Sequence, residues 1–347
     1  MNRREFIIAL GSLVLSSCGG SSSNSSGSIS FNSIPFGLGE DPAKLIDAQD
    51  PDGRRVFDLL RPDFVQAWLN GAVDTNGNVY SPSMSYFEQW YNQGKFKTWS
   101  SLNLGFMIIS WENYDGQNPA LGGPTYGNYH ISRQFLEDVE KLCIWLKDYK
   151  SQLYFVLAAE QSTYTACRYD RTCSNPLAYS DVINNTTEEY FSRLRDNLLS
   201  AIDIIQSYHP SAYVGTCFGG WLVEFERGQS FINYFKPVIE KSNAIFFQSM
   251  MDKKSEENNG YGNPQRILAN LNYFSRFGKP VGLAFYMPHN KRADVIADDM
   301  IQMSQQDYIK TLKKYRLLTF GFMEYGVLKD NLFDCLYKTS HFRKLLR

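Results

Sequence analysis

Histidine is scarce in this chain of 347 residues: only His130, His209, His289 and His341, far apart, with no H-x-H, H-E-x-x-H or C-x-x-C pattern. That argues against a histidine- or cysteine-built metal centre, and neither a metal nor another cofactor is expected. No G-x-G-x-x-G follows the first apolar run, and G-x-x-x-x-G-K-[ST] and G-x-S-x-G are absent. Dinucleotide binding, phosphate cradling and serine-elbow hydrolysis therefore lack their usual signatures. No long basic run follows the first residues, and 35 Lys/Arg stand against 36 Asp/Glu for a net charge of −1. Nucleic acid is thereby disfavoured as a partner. What is abundant is apolar material, 43% of residues, which suffices for one large core. Aromatics reach 15%, more than a core alone explains, and a cleft that stacks on sugars would use the surplus.

The first residues read as an export signal rather than as fold. "MNRREFIIALGSLVLSSC" has a basic start at Arg3 and Arg4, an apolar run from Phe6 to Leu15, and small residues before Cys18. The run is too short to span a bilayer. "NRREFII" resembles a twin-arginine export motif and "LSSC" resembles a bacterial lipobox. The lipobox resemblance implies a signal over residues 1–17, cleavage before Cys18 and lipid on its thiol. The Gly/Ser stretch that follows, residues 18–30, suits a flexible tether. Membrane contact is expected through that lipid only, with the outer-membrane or periplasmic side of the envelope favoured. Cys167 and Cys173 share a polar loop and can pair in an oxidising compartment. Cys143, Cys217 and Cys335 sit in helical or strand patterns and read as small buried apolar residues.

Over residues 31–347, short apolar runs recur with helical patterns between them. The runs are Ile34–Asp41, Pro62–Trp68, Leu104–Asn113, Leu153–Gln161, Ala212–Trp221, Ala244–Asp252, Pro280–Asn290 and Leu317–Gly326. "SRQFLEDVEKLCIWLKDY" and "TTEEYFSRLRDNLLSAIDIIQSY" carry the i, i+3, i+4 stripe of amphipathic helices. The first gap, around "DGRRVFDLL", is the thinnest. Continuously apolar strands alternating with helices imply a parallel sheet with both faces covered. Eight such units predict a single α/β domain, a (β/α)8 barrel; an open doubly wound sheet is the weaker alternative because its glycine fingerprint is missing.

Most runs end in a polar or aromatic residue: Glu40, Trp68, Trp111–Glu112, Glu160–Gln161, Trp221, Asp252, His289–Asn290 and Glu324–Tyr325. In a barrel these ends converge on one face, where barrel enzymes keep their chemistry. The loops after runs seven and eight are not glycine-rich, which disfavours phosphate substrates. Paired carboxylates beside aromatic platforms are the equipment for cleaving glycosidic bonds: one carboxyl stays protonated for the leaving oxygen, the other is ionised. Glu160 follows "FVLAA", where desolvation raises a carboxyl pKa, and suits the general acid/base. Glu324 is the preferred second carboxylate, with Asp252 in reserve. Trp68, Trp111, Tyr114, Trp221, Tyr286 and Tyr325 are expected to line the cleft, with Glu112, Gln161 and His289 contacting substrate. Glu224 and Glu226 read as surface or helix-start charges.

On these features the chain resembles the TIM-barrel glycoside hydrolases, in the broad manner of the clan that includes mannanases and cellulases. That clan's acid/base follows strand four, and "AAEQ" puts Glu160 there. Its nucleophile follows strand seven, where this chain reads "FYMPHN" and has no carboxylate. Either the strand count is off by one, or the second carboxylate comes from elsewhere, or catalysis has been lost. The resulting expectation is a lipid-anchored glycoside hydrolase acting on a cell-envelope or extracellular polysaccharide. The alternatives are a catalytically inactive carbohydrate-binding barrel and a structural envelope lipoprotein.

Overall fold

The computed structural model describes residues 33–47, 49–73, 79–111, 133–159, 183, 185 and 188–347. The signal, the tether and Cys18 lie outside the described residues, as do Glu112, Tyr114, Glu160, Gln161, Cys167 and Cys173. Eight parallel strands close a barrel: β1 (Phe36–Leu38), β2 (Phe64–Leu69), β3 (Gly105–Trp111), β4 (Leu153–Ala159), β5 (Tyr213–Gly219), β6 (Ile245–Ser249), β7 (Val281–Tyr286) and β8 (Phe320–Phe322). Each expected run coincides with one of them, in order, the second strand running one residue past its run to Leu69, so the strand count holds. The fold is the expected (β/α)8 barrel. A short antiparallel ribbon, Ala72–Val73 with Val79–Tyr80, decorates the loop after β2.

Side chains alternate across the sheet as the pleat requires. One set, with Phe64, Met107, Tyr154, Val156, Phe246 and Phe285, forms a cluster inside the barrel. The other set, with Phe36, Val65, Phe106, Phe155, Phe218 and Phe247, packs outward under the helices. Ring against ring fills the interior: Phe64 lies 5.2 Å from Tyr154, which stacks on Tyr213 at 5.8 Å. Glycine makes the room for these rings. A methyl group on Gly37 would sit 2.0 Å from the Phe64 ring, and one on Gly321 would meet the Ala284 carbonyl oxygen at 1.8 Å.

Closure falls on the two shortest strands, where Phe36, Gly37 and Leu38 pair with Phe320, Gly321 and Phe322. The buried side chain of Gln66 reaches past this seam from β2, its Nε2 donating to the Ala284 carbonyl at 2.7 Å. At the N-terminal pole, helix Tyr337–Leu346 locks the seam. Ile34 N donates to Leu346 O at 2.8 Å, and buried Arg343 donates through Nη2 to Asp63 Oδ2 at 2.6 Å. The same carboxylate oxygen of Asp63 accepts from Phe36 N at 2.8 Å.

The thin first gap is a helix after all, Pro51–Leu60. Asp50 caps it by accepting from Asp52 N and Gly53 N, Pro51 takes the first turn, and Val56 and Leu60 face the core. Capping at one end and a narrow buried face of Gly53, Val56 and Leu60 together hold the helix. The Lys329 ammonium, hydrogen-bonded to Asp50 at 2.7 Å, pulls the Asp50 carboxyl down to about 2. Cys143, Cys217 and Cys335 are buried, as expected.

Behind β6 and β7, a polar network is sealed under the helices. Asp299 is fully buried; its Oδ2 accepts from Asn263 Nδ2 at 2.7 Å and from Tyr286 Oη at 2.8 Å, while Oδ1 has no partner among the described residues. Burial pushes its carboxyl up to about 7. The folded chain thus holds this proton to near-neutral pH, whereas an unfolded aspartate releases it near 3.8. This group favours the fold at acid pH, and its contribution is lost as pH rises through about 7. Unfolding titrations between pH 4 and 8 should show that loss, at most about 4 kcal/mol, and Asp299→Asn should flatten the slope. An unchanged slope in the variant would assign the pH dependence elsewhere.

Candidate active site at the mouth of the barrel

The carboxyl ends of the strands gather a specific set of side chains. Glu40 follows β1 and Glu324 follows β8, so the closure seam places them on neighbouring strand ends. Glu40 has its pKa raised, first by desolvation and then by the negative charge of Glu324. Lys44 and Lys291 oppose that rise. Lys291 comes from the loop after β7 and grips Glu324, its Nζ lying 2.9 Å from Oε1 and 2.7 Å from Oε2. Glu324 is thus an ion-paired carboxylate, while Glu40 beside it more readily keeps a proton.

Trp68 points inward from the end of β2, its ring edge-on to Phe285 at 5.2 Å. A hollow of about 580 Å³ opens over these ends, walled by Trp68, Trp90 and the exposed Tyr86, with Glu40 and Asn70 on its rim. The buried Oδ1 of Asn70 has no hydrogen-bond partner among the described residues. Aromatic walls with a few polar groups are the make-up of a sugar-binding cleft.

Bulges shape the ends of β4 and β7. In β7, Leu283 through Phe285 oppose only Phe247 and Gln248 of β6, so Ala284 and Phe285 both face inward. Alternation is thereby reset, and Tyr286 turns outward. It does not line the cleft as expected: it is wholly buried under the helices, bonded to Asp299. In β4, Ala158 adopts φ 52°, a left-handed conformation that costs a non-glycine residue about 1–2 kcal/mol. The register slips there, Ile109 pairing with Val156 and Trp111 with Ala159, and the Ala158 N–H donates to Ser110 Oγ at 3.1 Å.

Other expected site residues separate. Tyr325 is buried against helix Pro51–Leu60, its hydroxyl donating to Asp50 at 3.0 Å, so it too leaves the cleft. Asp252 has both carboxylate oxygens on Asn290, 2.7 Å from N and 2.6 Å from Nδ2, and latches the loop after β6 to the loop after β7. Trp221 is half-buried over the end of β5, against Gly219. His289 is exposed on the loop after β7. Glu224 is no plain surface charge: it takes the buried Arg266 guanidinium at two points, 2.5 and 3.2 Å. The Trp111 backbone belongs to β3, while its side chain lies outside what is described. Glu40 was visible as the end of the first run; nothing in the sequence marked Lys291.

No family model matches the chain, and no curated protein sequence does. Solved structures do match in shape. The endo-1,4-beta-mannanase of Rhizomucor miehei aligns with a TM-score of 0.58 and 13% identity over 90% of this chain and 93% of that one. The GH53 catalytic domain of Ignisphaera aggregans gives 0.54 and 13%, over 92% and 98%. A GH26 beta-mannanase of Bacteroides ovatus gives 0.52 and 11%, over 91% and 89%. The fold is shared with barrel glycoside hydrolases. The last inward side chain of β7 is Phe285.

The charges at the seam are coupled, and the coupling has a sign. Replacing Glu324 by Gln should lower the Glu40 pKa toward an ordinary glutamate, and Lys291→Met should raise it further. Carbon-13 carboxyl titrations of the two variants read this directly, and no movement in either would show that burial alone sets Glu40.

Proposed function

We propose that the protein is a glycoside hydrolase that cleaves a cell-envelope or extracellular polysaccharide. The observation that carries this reading is the gathering of carboxylates and aromatic walls at the mouth: Glu40 and ion-paired Glu324 on neighbouring strand ends, beside a hollow walled by Trp68, Tyr86 and Trp90. Glycoside cleavage asks for carboxyl groups in different protonation states beside a surface that holds sugar rings. In this reading Glu160, after β4, is the general acid/base, and Glu324 is the nucleophile or base once substrate displaces Lys291. Glu40 stands beside it as a second proton donor. The fold neighbours named for mannan cleavage support a polysaccharide as the substrate class. Export and anchoring through Cys18 would keep the enzyme beside an immobile substrate. Loss of metabolic lipid labelling in Cys18→Ser would support the anchor, and labelling that persists would sink it.

A second reading, a carbohydrate-binding barrel without turnover, is favoured by one specific feature. Phe285 packed on Trp68 stands where the resembled clan keeps its nucleophile. Reducing-end release from mannan, xylan and bacterial envelope glycans separates the two. Hydrolysis is expected, with Glu160→Gln and Glu324→Gln each slower by roughly 100- to 10,000-fold and still binding substrate. Binding without release by the unaltered chain would leave the lectin-like reading.

A further inference from the structure

A second hollow, of about 620 Å³, opens at the opposite pole of the barrel. It lies between Tyr91–Asn103, which leads into β3, and Trp145–Lys150, which leads into β4. The strand ends nearest it are therefore the amino ends, away from the mouth. Buried Phe96 and Tyr149 form its apolar floor. Tyr91 and Trp145 form one wall, stacked at 5.5 Å with 17° between their planes, and Tyr91 remains 45% exposed. Lys141 places its ammonium 4.8 Å from the Trp145 ring centre.

The hollow is held in shape without a ligand. Lys150 N donates to Ser100 Oγ at 2.8 Å, Ser151 Oγ to Ser100 O at 3.1 Å, and Tyr149 Oη to Leu104 O at 2.8 Å. Little ordering is left for a ligand to impose. On the rim, Lys97 and Lys150 are exposed and form no ion pair among the described residues, and Asp148 is the acid near them. A stacked aromatic wall binds the apolar face of a pyranose ring, and two unpaired ammonium groups attract carboxylates.

We infer that this hollow is a second glycan-binding site, fitted to a polysaccharide that carries uronate carboxylates. It rests on the reading of the chain as glycan-active, and it holds polymer while the mouth works elsewhere on the same chain. Tyr91, backed by Trp145, supplies the exposed stacking face; Lys97 and Lys150 supply the preference for acidic sugars.

Affinity electrophoresis of the full chain tests it, in gels containing polygalacturonate, neutral mannan or polyglutamate. Retardation is expected to be strongest in polygalacturonate and weak in polyglutamate, which offers carboxylates without rings. Tyr91→Ala, at an exposed position, should weaken retardation by about tenfold. Lys97→Ala combined with Lys150→Ala should remove the advantage of polygalacturonate over mannan. Retardation unchanged in Tyr91→Ala, equal retardation by polyglutamate, or none by any glycan would overturn the inference. Release from short soluble oligosaccharides reads the mouth alone. Its absence would overturn the hydrolase reading, while the Tyr91→Ala comparison still decides this site.

Discussion

The structure depends on how the barrel closes. Two three-residue strands, β1 and β8, must complete a ring whose other six strands are five to seven residues long. So short a seam offers few backbone bonds, and Gly37 and Gly321 offer no side chains to reinforce it. The interior compensates by letting neighbouring strands reach across: Phe64 fills the space over Gly37, and Gln66 crosses to the Ala284 carbonyl beside Gly321. A buried amide left without that carbonyl would cost about 1–3 kcal/mol, so the contact fixes position as well as volume. Below the seam, Asp63 joins β1 to the last helix through Arg343.

The same seam determines the chemistry of the mouth. Strand ends that meet at closure bring Glu40 and Glu324 together although nearly the whole chain separates them. Two carboxylates brought close do not ionise independently. Lys291, delivered by the adjacent loop, takes one of them, and that loop is itself held by Asp252 through Asn290. Asp252 thus acts on the site at one remove, by fixing the loop that carries the cation.

The strands were legible because each is a continuous apolar run buried on both faces, and the barrel followed from their count. The helix at Pro51–Leu60 was harder to see because its buried face is narrow, only Gly53, Val56 and Leu60, amid charged residues. The misplaced tyrosines have a shared cause. Alternation along β7 assigns Gly282, Ala284 and Tyr286 to one face, and a single bulged residue reverses that for Tyr286; no residue in "GLAFYM" announces a bulge. Tyr325 follows β8, and its direction is set by Asp50, far away in sequence. The ion pair of Glu324 with Lys291 and that of Glu224 with Arg266 were likewise invisible, because sequence distance says nothing about which loops meet.

Closing a ring through its first and last strands also imposes an order of events on the nascent chain. Phe36 cannot find Phe320 until β8 has been made, and the clamp from Arg343 to Asp63 waits longer still. Without β8, a sheet built from the earlier strands keeps two unpaired edges. Slow closure of this kind is inherent in pairing strands that lie so far apart in sequence, because their loop-closure entropy is lost before any contact rewards it.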